Sequence, residues 1–330
     1  MITLTAVVLV LILAALPHII WLLLYVIGKI CGFKVPYAPF GWSAIGLSVL
    51  CVILLTYGTY IGRWKYAVTR FEYSNPDVPE AFDGYRIVHI SDLHLSTFDD
   101  NKRKLTELID TINALKPDLI CFTGDMVTIG KIEAQPYTND LQRLTAKDGV
   151  ISVLGNHDFM IYTLGRSEKP NADTDAEVEK LTVYERDTLG WNLLRNAHQI
   201  IHRGNDSITI IGVDNINSSN QGFKTISRGD LPKAMADTDG FRILLSHDPS
   251  HWRAEVVPNT DIPLTLSGHT HAAQVRILGW TPSSWMFSET DGPYTDGNQT
   301  LYVNIGLGCT VPFRIGANPE ITVITLNKAH

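Results

Sequence analysis

Cysteine is scarce in this 330-residue chain, and the four present, Cys31, Cys51, Cys121 and Cys309, show no paired spacing. That argues against a disulfide framework and suits a reducing compartment. Long basic runs are missing as well. With 27 Lys and Arg against 34 Asp and Glu the formal net charge is −7, so no nucleic acid partner is expected, because phosphate backbones call for a concentrated positive footprint. Internal repeats and low-complexity segments are absent, which excludes solenoid arrays and long disordered tails. Charge of either sign is lacking from residues 1–28 and again from residues 35–62.

Those two uncharged stretches carry the excess apolar content behind a mean hydropathy of +0.05. Residues 7–15 and 19–27 together approach the roughly 20 apolar residues that cross a bilayer. Pro17 and His18 interrupt them, a kink that a membrane span tolerates, and the missing basic n-region argues against a signal peptide. The second expected span is 45–61, with Trp42, Tyr57, Tyr60 and Trp64 placed as interfacial aromatics. A buried core helix is the competing reading, but neither stretch has a polar face. A two-span anchor over residues 1–65 is therefore expected. Lys29 and Lys34 lie between the spans, whereas Arg63, Lys65 and Arg70 follow the second. This slight bias puts the amino terminus and the large domain on the cytoplasmic side. Residues 66–83, with Asn75-Pro76 and Pro79, read as a short connector, and residues 84–330 as one domain.

Within that domain apolar runs alternate with helical periodicity. Residues 85–94 begin as a buried strand and end in Asp92 and His94. Leu105, Leu108, Ile109, Ile112 and Leu115 then mark one face of a helix over 101–115, which Lys116-Pro117 ends. Strands follow over 118–123 and 149–154, with a short helix over 141–146 between them, giving a βαβαβ unit and a parallel sheet. An irregular loop over 160–171 and a polar helix over 173–189 come next. Further strands are expected at 193–194, 199–202, 207–213, 241–245, 262–266, 300–305 and 320–326.

Five strand ends present polar groups: Asp92 and His94, then Asp125, then Asn156 and His157, then His247, then His269 and His271. In open α/β sheets the crevice outside the carboxyl ends of the strands is where ligands bind. Glycines precede Asp125, Asn156 and His269, where they let backbone turn sharply and approach closely. Carboxylate, amide and imidazole donors without thiolates suit borderline-hard divalent ions.

The order D-x-H, G-D, G-N-H-D, H, G-H-x-H resembles the signature of the calcineurin-like metallophosphoesterase superfamily, with every element present between Ser91 and His271. The phrases around Ile90-Ser91-Asp92-Leu93-His94, Leu244-Leu245-Ser246-His247 and Leu266-Ser267-Gly268-His269-Thr270-His271, with the tail from Gly306-Leu307-Gly308 to Pro319-Glu320-Ile321, resemble its membrane-anchored YkuE-type branch. The resemblance implies a four-layer α/β/β/α sandwich with two divalent metal ions at the sheet edge, manganese before iron or zinc. One ion would be held by Asp92, His94 and His271, the other by Asn156, His247 and His269, with Asp125 bridging. His157 would stand beside them as general acid or charge stabiliser. Protein phosphatases of the superfamily carry a second acid three residues after the G-D motif, where this chain has Thr128. Related anchored members often have paired glycines where Ala272 and Ala273 stand here.

Other polar residues receive ordinary readings. His89 is expected in the core. His18, His198, His202 and His251 lack partner motifs, Asp99 and Asp100 read as helix caps, and Asp158 reads as a cap or loop acid unless it orients His157. Trp280 and Trp285 read as packing residues before they read as a wall for an acyl chain. Arg314, in Pro312-Phe313-Arg314, is a candidate for gripping a substrate phosphate through paired hydrogen bonds. The expected activity is hydrolysis of a phosphodiester or pyrophosphate in a lipid-linked substrate, for which UDP-2,3-diacylglucosamine is the candidate that the resemblance implies, at a bacterial inner membrane. Two alternatives stay open, a silent metal-binding membrane scaffold and a phosphodiesterase or nuclease acting on soluble substrates. Nothing in the sequence fixes the oligomeric state.

Overall fold

The computed structural model describes residues 2–159, 172–219 and 226–329. The loop expected over 160–171 lies outside them. The chain divides into two compact units, residues 1–63 with 311–315, and residues 64–310 with 316–330.

The first unit is built on two helices, α1 (Ile2–Cys31) and α2 (Ala38–Tyr60). α1 runs through Pro17 without ending. Gly32, at φ +80°, turns the chain after it, and the Phe33 amide returns to the Gly28 carbonyl at 2.9 Å. Two stretches, Val8–Cys31 of 24 residues and Ala38–Trp64 of 27, are long and apolar enough to cross a membrane, and only 6% and 11% of their most apolar windows are buried. Leucine and isoleucine left in the open all round a helix suit lipid as the solvent.

The second unit stacks two six-stranded mixed sheets. The first has the order β1 (Ala67–Asn75), β12 (Glu320–Lys328), β2 (Tyr85–Ile90), β3 (Leu119–Phe122), β4 (Val150–Ser152), β5 (Asn192–Leu193). The second runs β10 (Gly292–Asp296), β11 (Gln299–Val303), β9 (Leu264–Ser267), β8 (Phe241–Leu245), β7 (Asp206–Gly212), β6 (Ala197–Arg203). Side chains alternate along each strand, so every sheet feeds two layers. Ile87 and Cys121 meet Ile243, Leu245 and Leu266 between the sheets. Val88, Ile90, Ile120 and Phe122 face the other way, against Leu105, Leu108, Ile109 and Ile112 of α3 (Lys102–Ala114). The outer face of the second sheet packs Leu244, Leu301 and Val303 against Leu231, Trp252 and Val256. The outcome is the α/β/β/α layering expected, with β2, β3 and β4 parallel and adjacent as the βαβαβ pattern requires.

The connector expected over 66–83 is corrected. Residues 67–75 form an edge strand that pairs parallel with the C-terminal strand, Ala67 opposite Glu320 through Asn75 opposite Lys328. Phe71 and Tyr73 turn inward while Arg70 and Glu72 face solvent, a two-residue alternation that is a strand signal. The charges suit an edge, where they discourage pairing with another chain. The short helix expected over 141–146 lies earlier, at α4 (Thr138–Leu141), because the turn holding Pro136 starts it. The α3 helix follows Asn101 with no side-chain cap, and Asp99 accepts from the Tyr137 hydroxyl at 2.9 Å instead. The polar helix runs over α5 (Ala172–Val183) and continues as a π-helical turn to Thr188.

Candidate metal centre

The strands β2, β3 and β4 of one sheet and β8 and β9 of the other all end at one edge, and there the predicted side chains converge. Nε2 of His94 lies 3.1 Å from Nε2 of His271, which lies 3.3 Å from Oδ1 of Asp92. Nε2 of His247 lies 3.2 Å from Oδ2 of Asp125, 3.1 Å from Oδ1 of Asn156 and 3.2 Å from Nδ1 of His269. Asp125 reaches both groups, since its Oδ2 is also 3.7 Å from Nε2 of His94. All of these side chains are buried or nearly so, and Oδ1 of Asp92 has no hydrogen-bond partner. Ligands about 2.1 Å from one ion stand roughly 3.0 to 3.4 Å apart. The close contacts match that spacing, and facing imidazole lone pairs and an orphaned buried carboxylate oxygen are what a cation would satisfy.

Outer hydrogen bonds aim the rings. Nδ1 of His247 meets the Thr123 carbonyl at 2.7 Å, and Nδ1 of His94 meets the Thr128 hydroxyl at 3.2 Å. Donation at that nitrogen puts the lone pair on Nε2, which is how metal-ligating imidazoles are held. For His269 the sense is reversed: Nε2 faces Asp248 at 3.7 Å and Nδ1 faces inward. Burial pushes Asp92 up to about 6. Burial would raise Asp125 too, but His247, His157 and His94 around it hold its carboxyl well below the usual range. His247 feels the same pair from the other side: burial lowers it, and Asp125 overrides that to bring it up to about 10. Burial takes His269 down to about 4.

The backbone here is held in an uncommon form. Asp92, His94, Asp125, His269 and His271 have φ between 40° and 73°, so five of the seven candidate ligands sit in the left-handed region. Such residues cost about 1 to 3 kcal/mol each and persist where the surroundings over-determine them. The surroundings do so through main-chain bonds: Asp92 N to Gly124 O at 2.8 Å, His94 N to Asp125 O at 3.1 Å, and Gly308 N to Asp92 O at 2.7 Å. Two motif glycines are required by contact. A Cβ on Gly155 would stand 2.2 Å from Oδ1 of Asp125, and one on Gly268 would stand 1.9 Å from the Ser91 hydroxyl.

His157 stands beside this group, its ring perpendicular to that of His94 with centroids 4.8 Å apart. Its Nδ1 meets the Thr128 carbonyl at 3.0 Å and its amide donates to Asp125 at 2.8 Å. Its ring nitrogen is close enough to His94 and Asp125 to share an ion with them. Asp158 serves as a loop acid here: its carboxylate accepts from the amides of Asp125, Gly155 and Val127, tying the G-D and G-N-H turns together. Asp248, Thr123 and the Thr128 backbone were not foreseen as supports, and for Asp248 the adjacent Ser246-His247 was the available signal. Asn304 is another unforeseen support; its amide bridges the His89 and Glu320 carbonyls behind the site. Arg314 belongs to the first unit, where it is fully buried and its amide meets the Gly58 carbonyl at 3.1 Å.

Buried imidazole, carboxylate and amide donors gathered at the edge of a two-sheet sandwich define a metal-dependent hydrolase. The chain belongs to the calcineurin-like phosphoesterase family, whose family model matches residues 85–273. That family uses divalent metals. The chain is 33% identical over 284 residues to the uncharacterized metallophosphoesterase YkuE of Bacillus subtilis, covering 83% of this chain and 90% of that one. It is 28% identical over 291 residues to a transmembrane protein with metallophosphoesterase domain of Danio rerio, covering 85% of this chain and 62% of the longer relative. It is 29% identical over 333 residues to the UDP-2,3-diacylglucosamine pyrophosphatase LpxG of Chlamydia trachomatis, covering 87% and 98%.

Proposed function

We propose that this phosphoesterase hydrolyses a phosphodiester or pyrophosphate bond in a substrate presented at a membrane. The carrying observation is the convergence of Asp92, His94, Asp125, His247, His269 and His271, with Asn156 3.1 Å from His247, in a chain that also holds two helices fit to span a bilayer. In this reading Asp92, His94 and His271 would hold one divalent ion and Asn156, His247 and His269 a second, with Asp125 within reach of both groups. Bound there, such ions supply Lewis-acid stabilisation of phosphoryl charge and activation of a water nucleophile. The chain's own residues do the rest. His157, its Nδ1 held by the Thr128 carbonyl, stands beside the ligand cluster as the group that would deliver a proton to the leaving oxygen. The histidines around Asp125 hold its carboxyl well below the usual carboxylate range.

The lipid-linked character of the substrate is supported by the anchor and by the LpxG relative, whose name gives UDP-2,3-diacylglucosamine as its substrate. Residues 1–65 act as a multi-pass anchor and the catalytic domain faces the cytoplasm, on the bias of Arg63, Lys65 and Arg70 over Lys29 and Lys34. Manganese is the expected metal, ahead of iron or zinc. The test is a panel of p-nitrophenyl phosphate, its bis ester, UDP-2,3-diacylglucosamine and phospholipids, assayed with detergent-purified protein and added Mn²⁺. Turnover of diester or pyrophosphate substrates is expected. No turnover of any substrate at full metal loading would favour the silent scaffold, and turnover of soluble esters alone would remove the lipid.

A further inference from the structure

The segment following the last histidine motif contradicts its expected packing role. Trp280 is 45% exposed, Trp285 80%, and Leu278 is fully exposed. Ile277 and Met286 are exposed beside them. Residues 277–288 contain no charged side chain. The tip is a two-residue hairpin: Ile277 and Trp280 exchange amide-to-carbonyl bonds of 2.9 and 3.0 Å, with Leu278 at φ 50° and Gly279 at φ 86° between them. Turns with two positive φ values favour Asn, Asp or Gly, since bulky residues are strained there. Leucine at this corner is disfavoured by the backbone and by water alike. Local structure offers no reason for it.

The hairpin is fastened to the metal-binding edge. The Thr281 hydroxyl bonds the Ala272 carbonyl, and the Thr270 hydroxyl bonds the Thr290 carbonyl at 2.5 Å. Thr270 lies between His269 and His271. The loop after Asp125 also presents apolar side chains, with Ile129 52% and Ile132 70% exposed.

We propose that the 277–286 hairpin is a bilayer contact, its leucine tip dipping into the membrane interface with Trp280 and Trp285 at headgroup level. Tryptophan is the residue type that settles at that depth, and an uncharged apolar tip is what the headgroup boundary accepts. A bilayer is within reach because the same chain carries two helices fit to span one, and only six residues separate Tyr60 of α2 from Ala67 of β1. The proposal rests on those helices crossing the membrane, and is independent of which phosphoester is cleaved.

The experiment places the full chain, one copy per disc, in nanodiscs of phosphatidylcholine with a minority of phosphatidylglycerol, with plain or dibrominated acyl chains. Subtracting the emission of Trp285→Phe and of Trp280→Phe from wild type isolates each indole. The expected result is a blue-shifted difference emission that loses most of its intensity in brominated lipid, and recovers it in Leu278→Asp, whose charge lifts the tip. A red, unquenched difference emission in incorporated protein overturns the proposal while leaving the anchor intact. So does protection from aqueous acrylamide that needs two chains per disc, which would make a second copy the occupant. Failure to incorporate overturns the anchor and this proposal together.

Discussion

Ala273→Gly, a deletion of one methyl, is expected to stabilise this protein, while the same change at its neighbour is not. His271, Ala272, Ala273 and Gln274 have φ of 49°, 50°, 47° and 59°, four left-handed residues in a row with no glycine. A side chain in that region costs roughly 1 to 2 kcal/mol. Glycine removes the strain but adds freedom to the unfolded chain, returning about 0.5 to 1 kcal/mol of the gain. Ala273 is half-buried, so the balance should favour Ala273→Gly by about 0.5 to 1 kcal/mol. The Ala272 methyl is fully buried against Ile305 and Ala317; its loss costs about 0.8 kcal/mol plus any cavity, so Ala272→Gly should be neutral or destabilising. At roughly 2 to 4 °C per kcal/mol for a domain of this size, Ala273→Gly should raise Tm by about 1 to 4 °C. Thermal unfolding of the detergent-solubilised chain by near-UV circular dichroism reads it. Equal shifts for the two variants, or a lower Tm for Ala273→Gly, would refute the strain argument.

Asp125→Asn should abolish turnover and lower the affinity for both metal equivalents together; metal analysis showing two retained equivalents with normal rate would contradict a shared carboxylate. His157→Ala should keep its metal yet lose rate by roughly 10² to 10⁴-fold, less with good leaving groups, and equal losses across leaving groups would argue for charge stabilisation in place of proton delivery. Removing residues 1–65 should leave a folded domain, whereas removing 1–83 takes away β1 and bares the flank of β12, so the second product should melt lower or aggregate; equal melting would show the strand to be dispensable. Burial lowers His89 to about 3, so between about pH 6.5 and 3 the unfolded chain binds its proton and the folded one does not. Stability then falls as pH drops through that window, by up to about 1.4 kcal/mol per pH unit, and His89→Gln should flatten the acid limb of a Tm-against-pH curve; an unchanged slope would dismiss it.

The sequence by itself determined the elements whose signal is local. Apolar periodicity gave α3 and the parallel β2, β3 and β4, and uncharged length marked the two N-terminal helices. The metal-type residues were legible because each sits just past a strand, and strands that run parallel must deliver their ends to one edge. What only the tertiary structure decided depends on contacts between distant residues. The prolines near 76 and 79 masked β1, whose existence rests on pairing with β12 some 250 residues away. Asp158 read as a cap or a loop acid, and which backbone it holds appears only when the Asp125 turn closes over it. Thr128 supplies a backbone carbonyl to His157, and no side-chain pattern announces a carbonyl. The left-handed backbone at five donors follows from main-chain bonds between neighbouring strand ends, and the exposure of Leu278 and Trp285 is a property of the assembled hairpin that no local pattern announces. Residue type sets what a side chain can bind, and assembly of the strand ends sets whether it is held where binding can occur.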